Sequence, residues 1–178
     1  MLSSFFQTKN QKIHNAAKQI YEELIKTWKE HADGYSNTLA MSEEKKLGLL
    51  EKMIAQTQDS GNFSSQDINK ELSAKNIQGF DDQMIKIHEK VMADIDDILK
   101  MNSIYIRLTE RYKRDEKTLE TIIEDWYEYL KMIYFIELGG RAISGVTDEN
   151  GQLDIMRKQS DAATKKDEIR KRLMSLLD

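Results

Sequence analysis

Apolar residues recur along this chain at three- and four-residue steps, the spacing that lines one face of an α-helix. Gly34, Gly61, Gly79 and the pair Gly139-Gly140 interrupt the pattern and read as helix ends. The first predicted helix runs from Thr8 to Asp33, with Ile13, Ala17, Ile20, Leu24 and Trp28 as its inward stripe. A second begins near Ser42, whose hydroxyl suits an N-cap and is followed by Glu43 and Glu44 in the first turn, where acids favour the positive end of the helix dipole. Its inward set is Leu47, Leu50, Met53, Ile54 and Thr57. Ser64 with Asp67 has capping-box spacing and predicts a short helix from Ser65 to Asn76.

The fourth predicted helix, Asp81 to Arg114, carries Met84, His88, Val91, Ile95, Ile98, Asn102, Tyr105, Thr109 and Tyr112 in alternating steps of four and three, the register of a coiled-coil seam. Ile85, Met92, Leu99 and Ile106 widen that stripe. The fifth, Glu116 to Leu138, is apolar on most of its circumference toward its end and should be the most buried, with Trp126 and Leu130 in the core. Gly139, Gly140, Gly145 and Gly151 then mark a connecting loop, where Asn150-Gly151 favours a tight turn and leaves room for a small hairpin. The pattern predicts an all-α fold, an elongated bundle of five to six helices in all: the helical bundle over 1–138, a Gly-rich loop over 139–153 and a C-terminal amphipathic helix over 154–178.

Composition sharpens this reading. The chain has no proline, where average usage of about 5% would place roughly nine in a chain of this length, so sandwiches and barrels, which need many turns, are disfavoured. The absence of cysteine removes disulfides, thiolate catalysis, Cys-ligated zinc and iron–sulfur clusters together. Charged residues at 33% and a net charge of -4 fit a soluble globular chain. Met1 to Gln7 has neither a basic start nor a long apolar run, which predicts a cytoplasmic protein; an exported one whose signal peptide is missing from this sequence is the alternative. The longest apolar stretch, Trp126 to Leu138, contains Glu128, Lys131 and Glu137 and is too short to span a bilayer.

Chemistry-bearing constellations are sparse. His14, His31 and His88 have Gln11, Trp28 and Ile85 three residues before them, so the Glu-x-x-His pairing of di-iron bundles is absent. His88 and Asn102 fall on the apolar seam and are expected to be hydrogen-bonded or to lie at its rim. Asp94 with Asp97, and Asp125 with Glu128, share helix faces and offer the oxygen ligands of an acid-cluster, metal-dependent hydrolase, one alternative function. Gly140 to Thr147 imitates a P-loop but has Val146 in place of the lysine, and the calcium-loop register that follows puts Val146 and Arg157 at ligand positions, so neither mimic holds.

A helix-turn-helix over Phe63 to Lys90 has tolerable apolar spacing, but its second helix begins Asp81-Asp82 and would face phosphates. The better basic groups are Arg107, Arg111 and Arg114, and Lys165-Lys166 with Arg170-Lys171-Arg172. Acids interleave with both groups, so a nucleic-acid-binding or regulatory role stands as an alternative only, ahead of the acid-cluster hydrolase as the second. Trp126, Tyr127, Tyr129, Tyr134 and Phe135, with Tyr105 and Tyr112, form either a bundle core or the lining of a ligand pocket.

No coherent catalytic set or cofactor motif emerges, which predicts a non-enzymatic helical interaction or assembly protein with a protein partner or a second copy of itself. The expected contact is the C-terminal tip. Between Arg157 and Lys171 the only apolar residues are Ala162, Ala163 and Ile169, too few to offset about 1–2 kcal/mol of backbone ordering per residue, so a mobile stem is expected. Ile169, Leu173, Leu176 and Leu177 with Arg170 then make an apolar patch suited to engage another chain.

Overall fold

In a computed structural model the described residues are 8–58, 74–143 and 148–177, and they form an all-α helical bundle. The helices are α1 (Lys9–Leu39), α2 (Glu43–Gln58), α3 (Ala74–Arg111), α4 (Glu116–Ile143) and α5 (Glu149–Ser175). Local chemistry sets several of their starts. Thr8 Oγ1 accepts from the Gln11 amide while Gln11 Oε1 accepts from the Thr8 amide, a reciprocal capping box that opens α1. Asp115 accepts from both the amide and the hydroxyl of Thr118 at the start of α4, and these bonds hold its carboxyl below the usual carboxylate range. Asp148 caps α5 with an extended backbone and a side chain 2.6 Å from the Gly151 amide.

Gly61 lies outside the described residues, and the other glycines read as breaks do not end helices. α1 continues through Gly34, α3 through Gly79, and α4 through Gly139-Gly140 to Ile143. A glycine costs a helix roughly 1 kcal/mol relative to alanine, less than flanking helix formers and tertiary packing return. The 139–153 segment is therefore not one loop: it is helical to Ile143 and again from Glu149, and Asn150-Gly151 lies in the first turn of α5, with no hairpin there. The predicted Ser65 to Asn76 helix lies mostly outside the described residues; only 74–76 fall within them, as the opening of α3. The helix-turn-helix break at Gly79 is absent, because α3 is continuous there.

The chain divides into two compact units: Met1–Lys26 with Asp97–Asp178, and Thr27–Asp96. In the first, α4 and α5 pack along each other. Its core joins Ala17 and Leu24 of α1, Ile98, Met101, Tyr105 and Leu108 of α3, Ile122, Trp126, Tyr129 and Leu130 of α4, and Ala162, Ile169 and Leu173 of α5. Trp126 and Leu130 are buried as the pattern predicts.

In the second unit, Trp28, Ala32, Phe80 and Ile95 are buried, and so is Lys46, whose ammonium lies 2.8 Å from Asp81 Oδ2. This revises the inward face of α2. Leu47 and Leu50 are half-buried and Met53 is exposed, while the side chains of Ile54 and Thr57 are outside the described set. Ser36 Oγ lies 3.1 Å from His88 Nε2, which gives the seam histidine its expected partner. No helix among the described residues is long and apolar enough to cross a membrane.

Candidate functional site

The C-terminal tip, the expected contact surface, is docked on its own chain. Ile169 and Leu173 are 1% and 0% exposed. Arg170 Nη1 lies 2.8 Å from Asp97 Oδ2. The carbonyls of Leu176 and Leu177 accept from Arg111 Nη1 at 3.1 and 2.6 Å, and the Tyr112 hydroxyl also donates to the Leu176 carbonyl. The last carbonyls of a helix have no intrahelical donor, and here α3 supplies it.

Nor is the stem free. Gln159 Nε2 donates to the Ile136 carbonyl, Lys165 pairs with Glu128 and Arg172 grips Asp125 through two nitrogens. Three buried residues, Ala162, Ile169 and Leu173, fix the helix on α4. Composition undercounted these tethers because Gln159, Lys165 and Arg172 each find a partner on α4.

The same contacts account for most candidate acids and bases. Asp97 is held by Arg170 and accepts from the Tyr129 hydroxyl; Asp125 is held by Arg172; Glu128 is held by Lys131 and Lys165, whose hydrogen bonds keep its carboxyl below its ordinary value. Among the described residues no group of three or more His, Asp or Glu is placed to hold a metal ion. Of the basic groups, Arg111 is spent on the α5 carbonyls and packs over the Tyr112 ring, while Lys165, Arg170 and Arg172 are ion-paired.

The aromatic residues separate into a cluster and several singles. Trp126 stacks on Tyr105 at 5.1 Å between centroids and 14° between planes, and on Tyr129 at 5.7 Å and 17°. His14 stacks in turn on Tyr105, and its Nδ1 lies 2.6 Å from the Tyr105 hydroxyl. Tyr21 meets Trp126 at a tilt. Tyr127 instead carries Lys131 over its ring, Tyr134 donates to Glu23, and Phe135 is exposed.

Beside the stack, α1, α3 and α4 line an open-sided cavity of about 360 Å³. Tyr21, Tyr105, Trp126 and Ile106 supply its apolar lining, and His14 and Asn102 its convergent polar groups. Lys18 and Glu22, 3.8 Å apart, complete it. Asn102 sits half-exposed on the wall, and its carboxamide has no hydrogen-bond partner among the described residues. Burial pushes the Tyr105 phenol up to about 12, so it keeps its proton across the neutral range. His14 and Tyr21 were legible as a seven-residue step along α1, but nothing in the sequence announced that Tyr105 would meet them.

A second surface lies on α3. In the first unit Leu99 and Ile106 are 44% and 53% exposed; in the second, Ile85 and Met92 are 43% and 41% exposed. These four widen the predicted seam, yet they are not covered. The buried face of α3 in the first unit instead runs through Ile98, Met101, Ile104, Tyr105 and Leu108.

No protein-family model, curated protein or solved structure matches the chain.

Proposed function

We propose that this is a non-enzymatic helical assembly protein whose partner is a second copy of the same chain, joined through α3. The observation that carries the reading is that each unit leaves a pair of large apolar side chains uncovered, Ile85 with Met92 and Leu99 with Ile106, all in one seven-residue register of the helix. Scattered surface apolar residues are ordinary, but a row at heptad spacing is the geometry by which two helices pack side by side. Charges of both signs flank the row: Lys86, Lys100 and Arg107 one position on, and Glu89, Asp96 and Glu110 four positions on. A copy of the same surface meets that mixture with its own complementary mixture, whereas a polyanion would meet the acids.

Light scattering or sedimentation of the full chain at about 100 µM, a concentration that populates even a micromolar dimer, tests the reading. The expected mass is that of an oligomer, reduced to a monomer by Met92→Glu with Leu99→Glu while helix content is unchanged. A wild-type monomer at that concentration overturns the proposal. So does an oligomer indifferent to both substitutions.

A further inference from the structure

Apart from Ile106, the cavity beside the aromatic stack is lined by residues that the assembly reading does not use. About 360 Å³ falls at the small end of small-molecule sites, which are mostly apolar with a few converging polar groups. Its apolar lining consists of three aromatic rings and Ile106, a setting in which a flat ring gains both area and quadrupole-matched contact.

Two polar groups are poised there for different reasons. The Asn102 carboxamide offers an acceptor oxygen and a donor nitrogen side by side, and neither has a partner among the described residues. That pair matches a lactam edge, whose N–H and C=O present the complementary order. His14 is held through Nδ1 against the Tyr105 hydroxyl, which fixes its ring on the cavity wall as a second polar group. The two charges in the lining, Lys18 and Glu22, lie within ion-pair distance of each other, so the site carries no net charge that would select an ion.

We infer that this cavity binds an uncharged planar heteroaromatic compound of one or two fused rings, its lactam edge paired with Asn102 and its ring in contact with Tyr105, Trp126 and Tyr21. The inference rests on the first unit alone and shares with the assembly reading only Ile106, which borders both the cavity and the exposed row.

Equilibrium dialysis of the full chain against quinolin-2(1H)-one tests it, with 1-methylquinolin-2-one and naphthalene as matched probes. The first retains the lactam N–H, the second blocks it and the third lacks the polar edge. The expected result is saturable uptake of one quinolinone per chain with a dissociation constant of about 1 mM or tighter, as eleven heavy atoms allow. The methylated compound and naphthalene should bind about tenfold more weakly, the discrimination one lost hydrogen-bond pair gives. Asn102→Leu, which sits at a half-exposed wall position, should lose the preference between quinolinone and naphthalene while circular dichroism shows the helices intact. Ile106→Trp, which fills the cavity from its α3 wall, should abolish uptake of all three. Absence of saturable uptake by the wild type overturns the inference, as do equal affinities for the three probes or a preference that survives Asn102→Leu.

Discussion

Arg170 reaches from α5 to Asp97 on α3, placing Nη1 2.8 Å from the carboxylate oxygen that also accepts from the Tyr129 hydroxyl of α4. One carboxylate thus ties three helices of the same unit. The pair is about one-third exposed at each partner, so its Coulomb energy is screened; what it fixes is the seating of α5 over the buried Leu173. Arg170→Met keeps the stem of the side chain and removes the charge. It should lower the unfolding free energy by about 1 kcal/mol, measured by urea titration, and the loss should shrink in high salt.

Leu173 is fully buried although it stands on the most polar of the helices. Leu173→Ala should cost about 2–5 kcal/mol, and removal of residues 165–178 should cost more. Proteolysis of the truncated chain should cut within α4 at sites protected in the full chain. A truncated chain as stable as the intact one would mean that α5 is an appendage.

Trp126 is 2% exposed and touches three other aromatic rings. Trp126→Ala should cost about 3–5 kcal/mol, whereas Trp126→Phe, which retains a ring in the stack, should cost well under that. Equal costs for the two would show that the stack adds nothing to burial.

Gly34 lies inside α1 with nothing within 4 Å of where a Cβ would stand, and its backbone needs no left-handed conformation. Gly34→Ala should therefore stabilise the chain by roughly 0.5–1 kcal/mol, largely by restricting the unfolded state. Gly79→Ala, in the same situation on α3, should do likewise, and the two gains should add.

Alkaline pH should act through Tyr105. Its phenol ordinarily ionises near 10, and burial pushes it up to about 12 in the folded chain. The folded state then holds the proton more tightly than the unfolded one, so this contribution is whole below pH 10 and is lost as pH rises through about 12. Wild type should lose about 2–3 kcal/mol more than Tyr105→Phe across that interval, read as the difference between their denaturation curves.

Helix type was legible across the described residues because apolar periodicity is a local property, and the absence of proline left nothing to contradict it. The seam register marked the covered side of α3, where Ile95, Ile98 and Tyr105 are buried. How far that side extends was not legible: Met101 and Leu108 on one flank of the seam are buried, whereas Leu99 and Ile106 on the other are exposed, and both flanks are apolar. Which flank is covered depends on where the neighbouring helices lie, and that is long-range information.

The C-terminal helix misled for the opposite reason. Its few apolar residues suggested weak docking, but three buried side chains and partners such as Glu128, Asp125 and Asp97 hold it, each named only once the helices are side by side. The cavity combines both difficulties, since His14, Asn102 and Trp126 stand on three helices far apart in sequence.

The first unit is closed by the earliest and the latest parts of the chain, while the second is one uninterrupted stretch. During synthesis, at about 5–20 residues per second, the portion of α1 carrying Ala17 and Leu24 leaves the ribosome on the order of ten seconds before Leu173 does. Residues 27–96 already have every partner of their own unit by then. The face of α4 that packs along α5 must wait for it, and a nascent chain paused in that interval displays that face as a chaperone substrate.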